Sequence, residues 1–150
     1  MISSCRIGIV VSKFNTPITE KLLKGALQAL SEKGVPESNI DVIHVPGAYE
    51  ISITLKKLCN SEKNYDGLIA LGCLIKGETA HFEYICNSVS TLINSIACEF
   101  EIPIGFGVLT CYTAEQAYER SLDDPINAER NKGYESTQAV LEMVETLNKI

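Results

Sequence analysis

A chain of 150 residues, 45% of them hydrophobic and 21% charged, matches one ordinary domain, spanning 1–150, that buries its own core without metal or disulfide staples. Its formal net charge of −6 speaks against a nucleic-acid backbone or an anionic membrane surface as partner, because both are held mainly by Lys and Arg. A small molecule or another protein is the expected partner. The six cysteines form no C-x-x-C pair and most lie in apolar runs, so they read as buried reduced thiols. His44 and His81 are far apart and form no ligand cluster, so no metal site is expected. Near the N-terminus the only continuous apolar stretch is Ile7 to Val11, too short for a secretory signal core, which points to a cytoplasmic protein.

Ile7 to Val11 is the first predicted strand. Thr16-Pro17 then has the pattern of a cap residue followed by proline at the first helical position, and Ile18, Leu22, Leu23, Ala26, Ala29 and Leu30 recur at helical spacing. Gly34, with Pro36 beyond it, ends that helix. A second strand, Val42 to Val45, runs into the sharp turn Val45-Pro46-Gly47, and a helix from about Tyr49 places Ile51, Leu55 and Leu58 on one face. A third strand, Leu68 to Ile75, precedes a long amphipathic helix from about Thr79 to Phe100, with Phe82, Ile85, Val89, Leu92, Ile93 and Ile96 on its apolar side. The fourth strand, Ile104 to Leu109, leads to Thr113-Ala114-Glu115-Gln116, which has the spacing of a capping box and opens a short helix to about Ser121. Asp123 to Arg130 is polar, with Pro125 marking a loop or broken helix, and Asn131 to Asn148 closes the chain as a helix. Strands alternating with helices in this way require a parallel sheet covered on both faces, an α/β fold.

In an open parallel sheet, ligands collect beyond the carboxyl ends of the strands. Here those ends carry Phe14-Asn15, Pro46-Gly47-Ala48-Tyr49-Glu50, the run Lys76 to His81, and Thr110-Cys111. An aromatic face, an acid, a glycine turn at a helix start and an imidazole suit a planar polar ring together with an anion. His81 in a first helical turn is disfavoured as a cation and so stands ready to exchange protons near neutral pH. Other readings are open for each residue alone: Phe14 as a cap on the core, Glu50 as a dipole partner, and Arg120 and Lys132 as surface charge. The bulky Ser12-Lys13-Phe14-Asn15-Thr16 does not suit a flavodoxin-type phosphate loop, receiver-type acidic residues are missing, and neither a P-loop nor a G-x-G-x-x-G spacing occurs.

Taken together, Phe14-Asn15 with Ile18-Thr19, Val45 to Ile51, Gly72 to His81, Pro103 to Thr110, Gln116-Ala117 with Glu119-Arg120, and Asn131-Lys132-Gly133 closely resemble the 6,7-dimethyl-8-ribityllumazine synthases, the penultimate enzymes of riboflavin biosynthesis. The resemblance implies a flavodoxin-like α/β/α sandwich with a four-stranded parallel sheet. It also implies a cofactor-free and metal-free condensation of 5-amino-6-ribitylaminouracil with 3,4-dihydroxy-2-butanone 4-phosphate. By that resemblance the pyrimidine stacks on Phe14, with Asn15 lining its pocket. Ala48, Tyr49 and the strand end Cys73, Leu74, Ile75 read the ring and ribityl chain through their backbone, and Glu50 accepts ribityl hydroxyls. Phosphate sits on Gly77, Glu78 and Thr79, His81 transfers protons, and Phe106, Arg120 and Lys132 come from an adjacent subunit.

Several positions depart from the family pattern. Lys76 stands where Arg is frequent, Tyr49 where Phe is common, and Glu78 sets a carboxylate beside the phosphate. The stretch Leu122 to Arg130 is longer than in the shorter family members, which in this resemblance implies a free pentamer rather than a sixty-subunit shell. A catalytically weak flavin- or lumazine-binding carrier of the same fold is the alternative function. The joint presence of His81, Arg120 and the Gly77 turn favours the enzyme.

Overall fold

In the computed structural model, which describes the backbone of residues 1–150 and the side chains of all but 125–127, four strands form one parallel sheet. They are β1 (Ile7–Ser12), β2 (Ile40–Val45), β3 (Gly67–Ile75) and β4 (Ile104–Cys111), in the order β2-β1-β3-β4. The helices are α1 (Thr16–Glu32), α2 (Ile51–Cys59), α3 (His81–Phe100), α4 (Ala114–Glu119) and α5 (Lys132–Asn148). Alternate strand residues serve two separate cores, as the two-residue period of a strand requires. Ile7, Ile9 and Val11 of β1 join Ile69, Leu71 and Cys73 of β3 against α1, α4 and α5. Val10, Leu68, Ala70 and Val108 point the other way, onto α2 and α3. The result is the flavodoxin-like α/β/α sandwich, and the double-sided burial explains why β1 and β3 read as unbroken apolar runs.

The four predicted strands are all present, each somewhat longer than its apolar run. β2 starts at Ile40 and β4 ends at Cys111, because ladder pairing continues past the hydrophobic residues to Ile7↔Ile40 and Ile75↔Cys111. Gly34 ends α1 at φ 78°, where its N–H reaches the Ser31 carbonyl at 3.0 Å and Val35 N–H reaches Leu30 at 3.0 Å. Thr16 is not the cap of α1. That position belongs to Asn15, in a left-handed conformation, while the Thr16 hydroxyl turns back to donate to the Lys13 carbonyl. α3 begins at His81 rather than Thr79, with the Thr79 hydroxyl accepting the His81 N–H at 3.3 Å. Thr113 caps α4 as predicted, accepting Gln116 N–H at 3.2 Å. The polar stretch before α5 holds a 3-10 segment, Pro125–Arg130. All six cysteines are free, but only Cys5, Cys73 and Cys111 are buried; Cys59 and Cys86 are partly exposed and Cys98 is exposed, since their stretches of α2 and α3 are incompletely covered.

α1 and α5 cross at contact distance beside Asn131. A Cβ on Gly133 would collide with the Leu22 carbonyl, and one on Gly25 with the Asn131 carboxamide. Asn131, only 1% exposed, uses every part of that amide: Oδ1 accepts Tyr134 N–H at 3.1 Å, capping α5, and Nδ2 donates to the Lys21 and Leu122 carbonyls at 3.0 Å each. One side chain thus ties α5, α1 and the segment after α4 together.

At the amino end of the sheet, Asp41 of β2 accepts the Tyr65 hydroxyl at 2.6 Å, Arg6 Nη2 at 3.1 Å and Lys63 Nζ at 3.4 Å. The hydrogen bond from Tyr65, then those from Lys63 and the nearby Arg6 charge, hold the Asp41 carboxyl below its ordinary range despite the opposing effect of burial. Burial, followed by the same hydrogen bond, pushes the Tyr65 phenol up to about 12.

Two outcomes follow for stability. Asp41 has a lowered folded value, so its contribution is present above its ordinary value of 3.8 and is lost as pH falls through the folded one. Tyr65 has a raised folded value, so its contribution is complete below 10.0 and is lost as pH rises towards about 12. Urea midpoints measured against pH are expected to fall in both windows, and Asp41→Asn to flatten the acid limb. Asn131→Ala is expected to lower the unfolding free energy by about 2–3 kcal/mol in urea titrations. Asn131→Asp keeps the cap acceptor but cannot donate to both carbonyls, and wild-type stability in that variant would contradict the bridging role.

Candidate active site

The chain winds from β1 outward to β2 in one direction and to β3 and β4 in the other, so a crevice opens where β1 and β3 diverge at their carboxyl ends. Its volume is about 660 Å3. Backbone pairing continues past the strands on its β1 side, with Lys13 N–H donating to Val45 O at 2.8 Å and Phe14 N–H to Pro46 O at 3.1 Å. These bonds hold the Phe14 ring at the crevice mouth, where it is 70% exposed. A core cap would be buried, so Phe14 is a presented aromatic face.

Asn15 is placed differently from the sequence reading. It holds φ 62°, a conformation Asn tolerates better than most residues, and its amide donates to the Cys73 carbonyl at 2.9 Å. It does not line the crevice; it bridges the two diverging strand ends and sets the base on which Phe14 stands.

The 3-10 turn Ala48–Glu50 leads into α2 and contributes Ala48, Tyr49 and Glu50 to the lining. Ala48 is buried, whereas Tyr49 is 65% exposed. Cys73, Leu74 and Ile75 supply the floor. The Cys73 thiol is pushed up to about 12, by burial first and then by Cys111, and is therefore no nucleophile near neutral pH.

Gly77, Thr79 and His81 also line the crevice. The Gly77 backbone has no positive φ, and a Cβ there would meet nothing within 4 Å. The glycine keeps space open in the crevice rather than relieving a strained turn. Among the described residues the N–H groups of Gly77 to Ala80 have no backbone partner, and they lie ahead of a 20-residue helix whose N-terminus is positive. His81 is the first residue of that helix and is exposed. Glu78 is also exposed and lies outside the crevice lining.

Phe106, Arg120 and Lys132 are not in this crevice. They line a second opening of about 490 Å3 between β4, α4 and the start of α5, and among the described residues the two openings share no lining residue. Phe82 of the first touches Tyr112 of the second, ring centroids 6.3 Å apart, and Lys76 Nζ lies 5.7 Å from the Tyr112 centroid. Arg120 donates to its own Gln116 carbonyl at 3.0 Å, and Lys132 Nζ is 3.3 Å from Glu135. Lys132 N–H in turn donates to the Arg120 carbonyl at 2.8 Å, which couples the two cations through the backbone.

Sequence reasoning missed Phe82 and Ile85, which line the crevice although their helical spacing reads as core face. It also missed Tyr112 and Arg130 in the second opening. Position at a strand end marks Tyr112, but no local pattern marks Arg130.

The crevice offers an aromatic face, an acid, unpaired amides and an imidazole, while a group of cations opens separately on the same chain. The model of the 6,7-dimethyl-8-ribityllumazine synthase family matches residues 4–148. With that match spanning nearly the whole sequence, on the sheet and strand-end crevice described, the chain belongs to the 6,7-dimethyl-8-ribityllumazine synthase family, transferases of riboflavin biosynthesis.

Proposed function

We propose that this chain condenses 5-amino-6-ribitylaminouracil with 3,4-dihydroxy-2-butanone 4-phosphate to give 6,7-dimethyl-8-ribityllumazine, phosphate and water. The observation that carries the reading is one crevice lined by Phe14, Glu50 and His81 together with Gly77 and Thr79, whose N–H groups have no backbone partner among the described residues. A ring stacked on Phe14 directs its polyol towards Glu50, whose carboxylate accepts hydrogen bonds from the hydroxyls. The phosphate of the second substrate sits on the amides and the Thr79 hydroxyl at the start of α3.

Attack of the uracil amine on the ketone gives a carbinolamine that loses water to an imine. Elimination of phosphate follows, and the ribitylamino nitrogen then attacks the remaining carbonyl to close the second ring with loss of a second water. Each step moves a proton, and His81, beside the phosphate end, is the group placed to carry it. Alignment of two reactants in one crevice supplies much of the acceleration without any covalent intermediate on the enzyme. Arg120, a planar bidentate cation, stabilises the departing phosphate.

Because Phe106, Arg120 and Lys132 occupy a different opening from the crevice, the complete site forms where copies of the chain meet, each chain's cations closing a neighbour's crevice. The assembly proposed is a pentamer acting in the cytoplasm, with small-molecule substrates as its only other partners and no metal or cofactor. Among the described residues no helix is long and apolar enough to cross a membrane.

Mixing both substrates with the protein is expected to yield the absorbance and fluorescence of the lumazine; binding of the pyrimidine or of flavin without turnover would favour a carrier instead. His81→Ala is expected to lower kcat by about 10²–10⁴-fold with KM nearly unchanged, and Arg120→Ala to raise KM chiefly for the phosphate-bearing substrate. Steady-state kinetics with each substrate varied in turn check both. In sedimentation, five chains of 16.4 kDa predict a particle of about 82 kDa; one near a megadalton would overturn the pentamer.

A further inference from the structure

In a chain of net charge −6, the opening between β4, α4 and α5 gathers Arg120, Arg130 and Lys132, with Glu135 as the one carboxylate in its lining. Two of these cations have partners within the chain. Arg120 donates to the Gln116 carbonyl and lies 3.9 Å from Glu119, and Lys132 is 3.3 Å from Glu135. Among the described residues the Arg130 guanidinium has neither an ion pair nor a hydrogen bond. Its backbone is nonetheless fixed, because the next residue is Asn131, whose buried amide is bonded to Lys21, Leu122 and Tyr134 and whose N–H donates to Ala128 O at 3.0 Å. An exposed, unpaired guanidinium on a held backbone, in an opening with two further cations and a single carboxylate, is an arrangement suited to an anion.

We propose that Arg130 is a binding residue for the substrate phosphate, acting with Arg120 and Lys132 on a phosphate monoester held in the crevice of an adjacent copy. This assignment rests on the reading that the cation-lined opening closes a neighbour's crevice. A phosphate monoester dianion has three terminal oxygens and two negative charges near neutral pH. The guanidinium fork of Arg130 serves two of those oxygens with all its donors free of intrachain bonds among the described residues, whereas Arg120 already spends one donor on its Gln116 carbonyl. Arg130 thus supplies initial capture, and Arg120 and Lys132 complete the charge balance.

The test uses Arg130→Gln and Arg130→Lys in the assembled protein, with two readouts. Calorimetric titration with inorganic phosphate is expected to give a Kd raised about tenfold by Arg130→Gln and less by Arg130→Lys. Kinetics are expected to give a similar rise in KM for the phosphorylated ketone, with KM for the pyrimidine and the sedimentation coefficient unchanged. If wild type and Arg130→Gln agree within twofold in phosphate Kd and in KM, the Arg130 assignment fails while the enzymatic reading stands. If Arg130→Gln raises both KM values or dissociates the assembly, its role is structural and the assignment is likewise overturned. Arg130-dependent phosphate binding by a wild-type protein that forms no lumazine would uphold the assignment and reject the reaction.

Discussion

The divergence of the chain between β1 and β3 is the constraint from which the rest of the site follows. Parallel strands need crossover connections on the sheet faces, and a change in winding direction forces the connections after β1 and β3 to opposite sides. The gap they leave would expose the last backbone carbonyls of both strands. Asn15 closes it at one point, its amide reaching the Cys73 carbonyl from a left-handed backbone conformation. The same residue stands at the head of α1 and directly after Phe14, so the hydrogen bond that joins the strand ends also sets the aromatic face at the crevice mouth.

Charge is distributed to match. The fold leaves unpaired amides and a positive helix end in one opening, which suit an anion, and collects Arg120, Arg130 and Lys132 in another. The two backs meet at the contact of Phe82 with Tyr112. Neither opening alone combines Phe14 and His81 with the guanidinium groups. Under the proposed function, an active site divided in this way makes assembly a condition of catalysis.

The crossing of α1 and α5 links stability to that chemistry. Gly25 and Gly133 allow the helices to approach until Asn131 fills the space between them, and Asn131 lies between Arg130 and Lys132 in sequence. A buried amide bonded to α1, to α5 and to the segment after α4 therefore fixes the backbone of the two neighbouring cations, and the Lys132 N–H bond to Arg120 carries the constraint to the third. Long charged side chains lose much rotamer entropy on binding; holding their stems in advance reduces what remains to be ordered.

The strands were legible because β1 and β3 are covered on both faces, so burial appears as unbroken runs such as Ile7 to Val11. Gly34, Thr113 and Asn131 were legible because helix ends are governed by a few neighbouring residues. Most of the crevice was legible as well, since ligands collect at strand ends and the residues there carry the chemistry. The cap of α1 was not, because the choice between Thr16 and Asn15 depends on a carbonyl 58 positions away. Nor was the orientation of Phe82 and Ile85, whose helical spacing is the same for a residue facing the core and one facing a crevice. The composition and local pattern of this chain thus determined an α/β sheet, its helix ends and the chemistry at its strand ends. Only the tertiary structure decided that Asn15 braces rather than lines, that Glu78 stays outside, and that Arg130 shares one opening with Arg120 and Lys132, because each depends on how separate elements pack against one another.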